Sequence, residues 1–219
     1  MDVRDDEAVV RAVESVERKA GGLDIVINNA GLMTRGPLEF YNDSEVRSIF
    51  ETNVFGPMRV ARAALPLMRQ AGSGTIVNIS SLAGRFSWAF VGVYAASKFA
   101  LEGFSDALYF EAHPFGVRVV VVEVGTFDTE MRYKMTAPAA YEPEVSPYRD
   151  FLHAFDGIPA KPAGDAGLVA TLIADVATSA SPKRRYLVGE DSELWLGLRE
   201  QHDDDAFESI VRDRLSFWQ

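Results

Sequence analysis

The sequence lacks cysteine, so neither disulfide bonds nor thiolate chemistry can contribute to its structure or function. Basic residues are also in the minority, because 22 Lys and Arg residues face 32 Asp and Glu residues and the formal net charge is -10. A chain with this balance has no positive field that would attract a phosphate backbone, so we expect no nucleic-acid partner. The short basic cluster at residues 183–185 is interpreted as a solvated turn.

The features of metal-binding and membrane proteins are missing as well. The histidines are far apart in the sequence and match no metal-ligand spacing, so we expect no metal site. No apolar run approaches the ~20 residues of a membrane span. The first residues are charged where a secretory signal needs an apolar segment. We therefore expect a soluble, cytoplasmic protein without membrane contacts.

What the sequence does contain is a regular alternation of strand and helix patterns. Its 219 residues, 47% of them hydrophobic, suit one globular domain with a sizeable core. Short runs rich in β-branched residues predict strands, and helical spacing of apolar residues predicts helices. Strands are predicted over residues 23–27, 74–79, 117–124 and 186–188. Helices are predicted over residues 6–20, 43–70, 94–110, 165–177 and 193–218, with residues 203–205 near a helix start.

Strands that alternate with helices are typical of an α/β doubly wound parallel sheet, a Rossmann-like fold with right-handed crossovers. The run Val119 to Val122 is too continuously apolar for a strand that is wetted on one face, which indicates a buried strand. Ligands of such sheets bind at the carboxyl ends of the strands. Polar or small residues follow three of the predicted strands there: Asn28, Ser81 and Gly125.

The spacing of Tyr94, Lys98 and Ser81 points to specific chemistry. On a helix, positions i and i+4 share one face, so the Lys98 ammonium is expected beside the Tyr94 phenol, where it favours the ionised form. A phenol with an ordinary pKa of about 10 thereby becomes a usable acid and base. With Ser81 upstream, the pair predicts a hydride-transfer active site.

Five ordered elements carry a resemblance to a known family: Asn28-Asn29-Ala30-Gly31, Asn53, Ser81, Tyr94-Ala95-Ala96-Ser97-Lys98 and Gly125. In this order and spacing they resemble the short-chain dehydrogenase/reductase (SDR) family, over residues 2–189. The resemblance implies an NAD(P)-dependent oxidoreductase that interconverts an alcohol and a ketone or aldehyde. NAD(P) is the implied cofactor, and a small-molecule alcohol or ketone is the implied substrate.

By the same resemblance, four residues are catalytic: Tyr94, Lys98, Ser81 and Asn53. Tyr94 passes a proton between the substrate oxygen and solvent, and Lys98 lowers the pKa of Tyr94 and holds the nicotinamide ribose. Ser81 donates a hydrogen bond to the substrate oxygen, and Asn53 anchors a water in the proton relay. Structural interpretations stay open, since Asn53 could cap or kink a helix and Ser81 could be an ordinary strand-end serine.

The resemblance also assigns residues to cofactor binding: Asp2, Val3, Asn29, Ala30, Gly31, Tyr94, Lys98, Gly125 and Thr129. Asp2 and Val3 match a pair that contacts the adenine ring, residues 29–31 line the adenosine side, and Thr129 matches a threonine that touches the carboxamide. A charged second residue is commonplace, so Asp2 could equally be disordered. Asn28 is interpreted as structural, because strand-end asparagines tie neighbouring loops together.

One element of the family pattern is not found in this sequence: the Thr-Gly-x-x-x-Gly-x-Gly turn that binds the pyrophosphate. Asp2 corresponds to the end of the family's third strand, so about two βαβ-type units, on the order of 60 residues, are missing. We therefore expect residues 1–219 to form a single incomplete, N-terminally truncated SDR domain with a substrate loop at about 126–160. The strand at 23–27 would then be an exposed apolar edge, and cofactor would bind poorly.

Three explanations for this pattern stay open. In the first, the sequence is part of a full-length reductase. In the second, it is a natural short form that completes its sheet by self-association. In the third, it is a catalytically silent SDR remnant that acts as a binding or scaffold protein. The presence of all four catalytic residues favours an enzyme over a silent remnant. The family segment that selects NAD or NADP is also not found, so the cofactor is written NAD(P).

Seven residues fall near the expected substrate pocket: Met33, Phe86, Trp88, Phe90, Met131, Tyr133 and Met135. They indicate a medium or bulky apolar alcohol or ketone, or else ordinary core and lid packing. Arg85 could meet an anionic substrate group but is interpreted as solvent-facing. Family members commonly pair through the long helices that here span 43–70 and 94–112, so the resemblance implies a homodimer or homotetramer.

Overall fold

A computed structural model describes residues 1–156 and 163–215 of the chain. Within these residues the core is a sheet of four parallel strands in the spatial order β1-β2-β3-β4. The strands are β1 (Ile25–Asn28), β2 (Gly74–Ser81), β3 (Val117–Val124) and β4 (Arg185–Val188). The predicted α/β parallel sheet of the Rossmann-like type is confirmed.

Helices alternate with these strands. They are α1 (Asp6–Ala20), α2 (Asp43–Phe50), α3 (Gly56–Ala71), α4 (Gly92–Ala112), α5 (Glu130–Tyr133), α6 (Arg149–Asp156), α7 (Ala166–Thr178), α8 (Glu190–Gln201) and α9 (Asp204–Leu215). A π-helical turn, Glu51–Phe55, joins α2 to α3. In the described ranges, no helix combines the length and the apolarity that crossing a bilayer requires.

Strand β3 is buried on both of its faces. Val119 lies with Met68 of α3 in one apolar cluster, whereas Val120 and Val122 lie with Val176 of α7 in another. Because successive residues of a strand point to opposite faces, a layer of helices covers each side of the sheet. Ligands therefore have access at the carboxyl ends of the strands and not through the sheet faces.

Two element boundaries differ from the sequence prediction near those strand ends. β2 continues through Ser81, so this serine is the last residue of the strand and not part of the following loop. The predicted helix over 43–70 is divided by the π-helical turn, in which Asn53 is buried and only 1% exposed. A π-turn accommodates one extra residue per turn and is often found at functional sites.

The predicted C-terminal helix over 193–218 is also divided. α8 ends at Gln201 and His202 adopts an extended backbone. The Asp203 carboxylate then accepts a hydrogen bond from the backbone N–H of Ala206 (2.9 Å), as an N-cap residue does, and α9 begins. Residues 216–218 of that prediction and residues 157–160 of the predicted loop lie outside the described residues.

Strand β1 lies at one edge of the described sheet. Ile25 and Ile27 are 37% and 45% exposed, whereas Val26 and Asn28 are buried. The exposed isoleucines match the apolar edge that the sequence predicts. Pairing with β2 sets Asn28 beside Asn78, which aligns the ends of the two strands.

Two glycines with left-handed backbones meet at the opposite end of the sheet. Gly72 (φ +67°) ends α3, and Gly116 (φ +74°) precedes β3. A Cβ added to Gly116 would overlap the Gly72 carbonyl oxygen, whereas a Cβ added to Gly72 would meet nothing within 4 Å. This approach leads directly into the pairing of Gly74 with Val117, so it helps to set the register of β2 and β3.

We expect Gly116→Ala to lower the free energy of unfolding by more than about 3 kcal/mol, because left-handed strain and a backbone overlap add together. Gly72→Ala is the matched control, since it introduces the strain alone and should cost about 1–2 kcal/mol. Urea unfolding followed by circular dichroism measures both. Equal losses in the two variants would contradict the role assigned to the close approach.

Candidate active site

Two of the predicted catalytic residues meet where β2 ends and α4 begins. Ser81 is the last residue of β2, and Tyr94 lies in the first turn of α4. The Tyr94 side chain is buried, and its phenol lies close enough to the Ser81 hydroxyl for Ser81 to affect its pKa. The Ser81 hydroxyl also accepts a hydrogen bond from the backbone N–H of Ala83 (3.2 Å), which holds the serine side chain in place. The structure thus brings the two hydroxyls together.

Lys98 lies one turn further along α4, on the same face as Tyr94. Its buried ammonium donates a hydrogen bond to the Ile79 carbonyl of β2 (2.9 Å). Nζ lies 5.8 Å from the centre of the Tyr94 ring. An ammonium has three N–H donors, and within the described residues the Ile79 carbonyl takes one of them. The remaining donors can serve a ligand oxygen.

Burial shifts both groups toward their neutral forms. Burial raises the pKa of the Tyr94 phenol, and the nearby Ser81 hydroxyl offsets only part of the rise. Burial also lowers the pKa of the Lys98 ammonium to about 8, against the attraction of the Glu102 carboxylate. The pKa of Tyr94 is therefore raised overall in this structure, opposite to the lowered pKa that the sequence predicts. The ammonium is directed to the Ile79 carbonyl, and the loss of water around the phenol dominates.

Asn53 joins three separate segments of the chain. Its Oδ1 accepts a hydrogen bond from the backbone N–H of Leu32 (2.8 Å), and its Nδ2 donates to the Leu32 carbonyl (2.9 Å). Nδ2 also donates to the Ser97 hydroxyl (2.9 Å). Asn53 therefore does not cap a helix but links the π-turn to the loop after β1 and to α4. Sequence reasoning missed Ser97, although it lies inside the motif that begins at Tyr94.

Asn28 has the structural role that the sequence predicts. Its Nδ2 donates to Asn78 Oδ1 (2.8 Å), and Asn78 Nδ2 donates to the Ser105 hydroxyl (2.8 Å). These buried side chains link β1, β2 and α4 in a row. The strand-end asparagine therefore ties elements together.

The loop after β1 brings Gly31 to the catalytic residues. A Cβ added to Gly31 would lie 3.5 Å from Asn53 Oδ1, 3.9 Å from Lys98 Nζ and 3.2 Å from Met131 Cε. Residues 29–30, which precede it, are exposed. The glycine allows the backbone to approach the Lys98 ammonium closely.

Asp2 and Val3, the predicted adenine contacts, are held by local interactions. The Asp2 carboxylate accepts hydrogen bonds from Arg4 N (2.9 Å) and Arg4 Nη2 (2.7 Å). These hydrogen bonds lower the pKa of Asp2 to about 2. Val3 packs closely on Gly56 of α3, where a Cβ would lie 2.8 Å from Val3 Cγ2.

Gly125 and Thr129 follow β3. The backbone N–H of Gly125 donates to the Val188 carbonyl (2.8 Å), and a Cβ on this glycine would overlap the Ser192 hydroxyl. The close approach of α8 therefore explains the glycine. Thr129 is exposed and precedes α5 without a side-chain capping bond.

The segment after β3 is tied to the loop after β1. Thr34 and Thr136 form a parallel bridge, in which Arg35 N donates to the Thr136 carbonyl (2.9 Å) and Thr136 N donates to the Met33 carbonyl (3.2 Å). The Thr34 hydroxyl is also hydrogen-bonded to Tyr41 Oη (2.7 Å). The segment therefore crosses from the end of β3 to the end of β1.

Two of the predicted pocket residues belong to the core instead. Phe86 and Trp88 pack edge to face with 4.9 Å between ring centres. They form an apolar cluster with Leu196 and Trp195 of α8 and Phe207 of α9. For these two residues, the alternative of ordinary core packing is correct.

Of the other predicted pocket residues, Met131 and Tyr133 lie on α5, and Met33, Phe90 and Met135 lie outside the helices and strands. Phe90 has a positive φ of 68°, its carbonyl accepts a hydrogen bond from Gly36 N (2.7 Å), and its ring centre lies 6.2 Å from that of Tyr148. Tyr133 is 75% exposed, and its hydroxyl donates to Asp128 Oδ1 (2.6 Å). Tyr133 therefore faces solvent, which corrects its placement in the pocket.

Arg85 is not the solvent-facing residue that the sequence suggests. It forms ion pairs with Glu123 (2.9 Å) and Glu200 (2.9 Å). Glu123 is buried on β3, and its charge is compensated by Arg85 and by Arg185 Nε (3.2 Å). Arg85 thus stabilises a buried carboxylate and ties α8 to the sheet.

Comparison with known proteins agrees with this geometry. A family model described as short chain dehydrogenase matches residues 1–140. An uncharacterized oxidoreductase of Schizosaccharomyces pombe is 32% identical over 219 residues, which cover 98% of this chain and 91% of that protein. A 3-ketodihydrosphingosine reductase of Bacteroides thetaiotaomicron is 43% identical over 129 residues, which cover 59% of this chain and 48% of that protein.

A solved structure shares the same architecture. A short-chain dehydrogenase from Streptomyces avermitilis superposes with a TM-score of 0.80 at 33% sequence identity, covering 99% of this chain and 78% of that chain. The family model covers more than half of the chain. The Streptomyces avermitilis dehydrogenase and the Schizosaccharomyces pombe oxidoreductase each match nearly the whole length of the chain. The chain therefore belongs to the short-chain dehydrogenase family of oxidoreductases.

Proposed function

We propose that the protein is an NAD(P)-dependent oxidoreductase that interconverts an alcohol and a ketone or aldehyde, with Tyr94 as the general acid and base. The observation that carries this proposal is the proximity of the buried Tyr94 phenol to the Ser81 hydroxyl, one helical turn from the Lys98 ammonium. Two hydroxyl groups at one point can hold a single substrate oxygen between them. They lie at the carboxyl end of the sheet, where such folds bind ligands.

Each side chain has a defined part in the proposed reaction. When it is bound, NAD(P) supplies a hydride to the substrate carbon or accepts one from it. In the reduction, Tyr94 donates its proton to the carbonyl oxygen, and Ser81 donates a hydrogen bond to the same oxygen. Because burial raises the pKa of Tyr94, the phenol is protonated at neutral pH, which is the form that reduction needs. In the oxidation, Tyr94 takes the alcohol proton and the Lys98 cation stabilises the phenolate.

The residues around Lys98 fit the nicotinamide ribose. The ammonium is buried, and beyond its bond to the Ile79 carbonyl it has N–H donors for two ribose hydroxyls. The backbone of Gly31 borders the same space, in which Asn53 and Met131 also lie. We therefore assign cofactor binding to a set that runs outward from this point: Lys98, Tyr94, Gly31, Ala30, Asn29, Gly125, Thr129, Val3 and Asp2.

We further propose that the substrate is an apolar alcohol or ketone. Met131 lies against Gly31, and Phe90 lies on the loop that leads into α4, so apolar groups border the site. Arg85, a candidate for an anionic substrate group, is already paired with Glu123 and Glu200. The reductase of Bacteroides thetaiotaomicron, whose name specifies a keto substrate, is consistent with this class.

We propose that the protein forms a homodimer or homotetramer through α3 and α4. Phe99 and Phe110 of α4 and the adjacent Phe115 are 46%, 66% and 48% exposed, an unusual set of aromatic side chains for a solvated surface. Multi-angle light scattering should give a mass of two or four chains, and Phe110→Glu should shift it toward one. An unchanged mass in Phe110→Glu, or a monomeric parent, would contradict pairing at this surface.

Tyr94→Phe should lower kcat by about 10²–10⁴-fold, because it removes the proton donor while keeping the ring in its buried site. The measurement is nicotinamide absorbance with a panel of apolar ketones and alcohols. Tyr109→Phe on the same helix is the matched control and should leave kcat unchanged.

The result also separates the enzyme from the alternative of a silent scaffold. The scaffold would be supported if the chain binds NADH and NADPH only with millimolar dissociation constants and if Tyr94→Phe leaves any residual turnover unchanged. Cofactor binding in the micromolar range together with loss of turnover in Tyr94→Phe would exclude it.

The free energy of unfolding should rise with pH because of Lys98. Its pKa is about 8 in the folded chain and about 10.4 when unfolded, so between these values the unfolded chain binds more protons and a rising pH favours folding. The gain amounts to roughly 3 kcal/mol. Tyr94, whose folded pKa is raised, acts in the opposite direction only above about pH 10.

Lys98→Met isolates this effect. The stability difference between the parent chain and the variant should change by roughly 3 kcal/mol in favour of the parent from about pH 7 to about pH 10, as measured by urea unfolding. Lys19→Met, which removes an exposed ammonium at the end of α1, is the control for the loss of a lysine charge. A flat difference for Lys98→Met would show that the ammonium is not held at a lowered pKa.

A further inference from the structure

The Asn53 carboxamide uses all of its principal hydrogen-bonding positions inside the protein. Its oxygen accepts from the Leu32 N–H (2.8 Å), and its nitrogen donates to the Leu32 carbonyl (2.9 Å) and to the Ser97 hydroxyl (2.9 Å). Leu32 contributes both a donor and an acceptor from one residue, so it fixes the plane of the amide. The Ser97 hydroxyl accepts from the second N–H of the amide nitrogen, so each polar atom of the amide has its partners inside the protein.

The Ser97 hydroxyl has only one way to meet Asn53. It donates its own proton to the Tyr94 carbonyl (2.6 Å), so it offers lone pairs to its neighbour and must receive an N–H. A rotated amide would turn an oxygen toward those lone pairs and lose the bond. Ser97 is completely buried, so water cannot take over as the partner. The serine therefore fixes the orientation of the Asn53 amide.

The same hydrogen bonds connect the backbone of Tyr94 to the loop after β1. The route runs from the Tyr94 carbonyl through the Ser97 hydroxyl to Asn53, and from Asn53 to Leu32. Gly31, the neighbour of Leu32, borders the Lys98 ammonium. The route thus links the two sides of the space that the proposed function assigns to substrate and cofactor.

A second pair in the same helix has the same chemistry at a different place. Asn78 Nδ2 donates to the Ser105 hydroxyl (2.8 Å), which donates to the Leu101 carbonyl (2.6 Å). Ser105 is as deeply buried as Ser97, but it leads to Asn28 in the sheet and not to the loop beside Lys98. Ser105 therefore shows what such a pair contributes when its role is structural only.

We propose that Ser97 is a positioning residue for the reaction: it holds the Asn53 amide and, through it, sets the loop after β1 relative to Tyr94. This rests on the proposed function, in which Tyr94 and Lys98 lie at the reacting centre. Ser97 touches neither substrate nor cofactor. Its effect is on the geometry in which the hydride and the proton are transferred.

Ser97→Ala should lower kcat by about ten- to a hundredfold, since misplacement on the order of 1 Å has effects of this size. KM should stay within about twofold, because the groups that bind substrate remain. Ser105→Ala removes an equivalent hydroxyl, so it should lower stability to a similar degree and leave kcat within about twofold. Equal kcat losses in the two variants would assign Ser97 a structural role only.

A double-mutant cycle tests the route through Asn53. If Ser97 acts through Asn53, Ser97→Ala should cause no further loss of kcat in an Asn53→Ala background. Losses that multiply would overturn the proposal. If Ser97→Ala does not fold, Ser97→Cys keeps the shape with a weaker acceptor, and the same comparison applies.

A readout that needs no turnover separates this inference from the proposed function. Hydrogen exchange of the Asn53 side-chain amide, assigned by the loss of its signal in Asn53→Ala, should accelerate more than about tenfold in Ser97→Ala and not in Ser105→Ala. Unchanged exchange would overturn the inference. If turnover is unchanged in Tyr94→Phe, the proposed function is wrong. Hydrogen exchange alone then decides whether Ser97 holds the Asn53 amide.

Discussion

The polar contact between α4 and β2 is the constraint on which the site depends. Helices usually pack on sheets through apolar side chains, but here a row of buried polar groups faces the strand at successive turns of the helix. Ser105 is hydrogen-bonded to Asn78 and Lys98 to the Ile79 carbonyl, while the buried Glu102 and Tyr94 lie beside Ser80 and Ser81. Hydrogen bonds of buried groups have a narrow geometry and are costly to leave unmade. The helix can therefore neither slide nor rotate on the strand without losing several of them at once.

The parts of the fold that the sequence predicts well are those with strong local signals. The bounds of β3 follow from a continuous run of β-branched residues, and those of α1 follow from its apolar spacing and the glycines after Ala20. The π-helical turn has no such signal, because one extra residue in a helix leaves the surrounding periodicity nearly unchanged. The break between α8 and α9 depends on an acidic cap at Asp203, and the acidic run over 203–205 does indicate a helix start there, although not that a preceding helix ends at Gln201.

For the site, sequence spacing predicts which side chains meet but not whether their pKa values are raised or lowered. The motif from Tyr94 to Lys98 and the position of Ser81 are readable because helix and strand geometry fix them. The pKa of Tyr94 depends instead on how completely the protein removes water from the phenol. The Lys98 ammonium is bonded to the Ile79 carbonyl, a backbone group that no side-chain pattern reveals. Ser97 was overlooked for a related reason: a small serine between alanine and lysine carries no signal until its partner, 44 positions away, is known.

The bridge between Thr34 and Thr136 has a mechanical consequence. It joins the segment after β3 to the segment after β1, while β2 lies between those strands, so backbone and hydrogen bonds together close a ring around the end of β2. The two segments must then move as one body, or the bridge must break before either of them moves alone. Access to the space beside Lys98 therefore depends on the movement of both segments together and not on either loop alone.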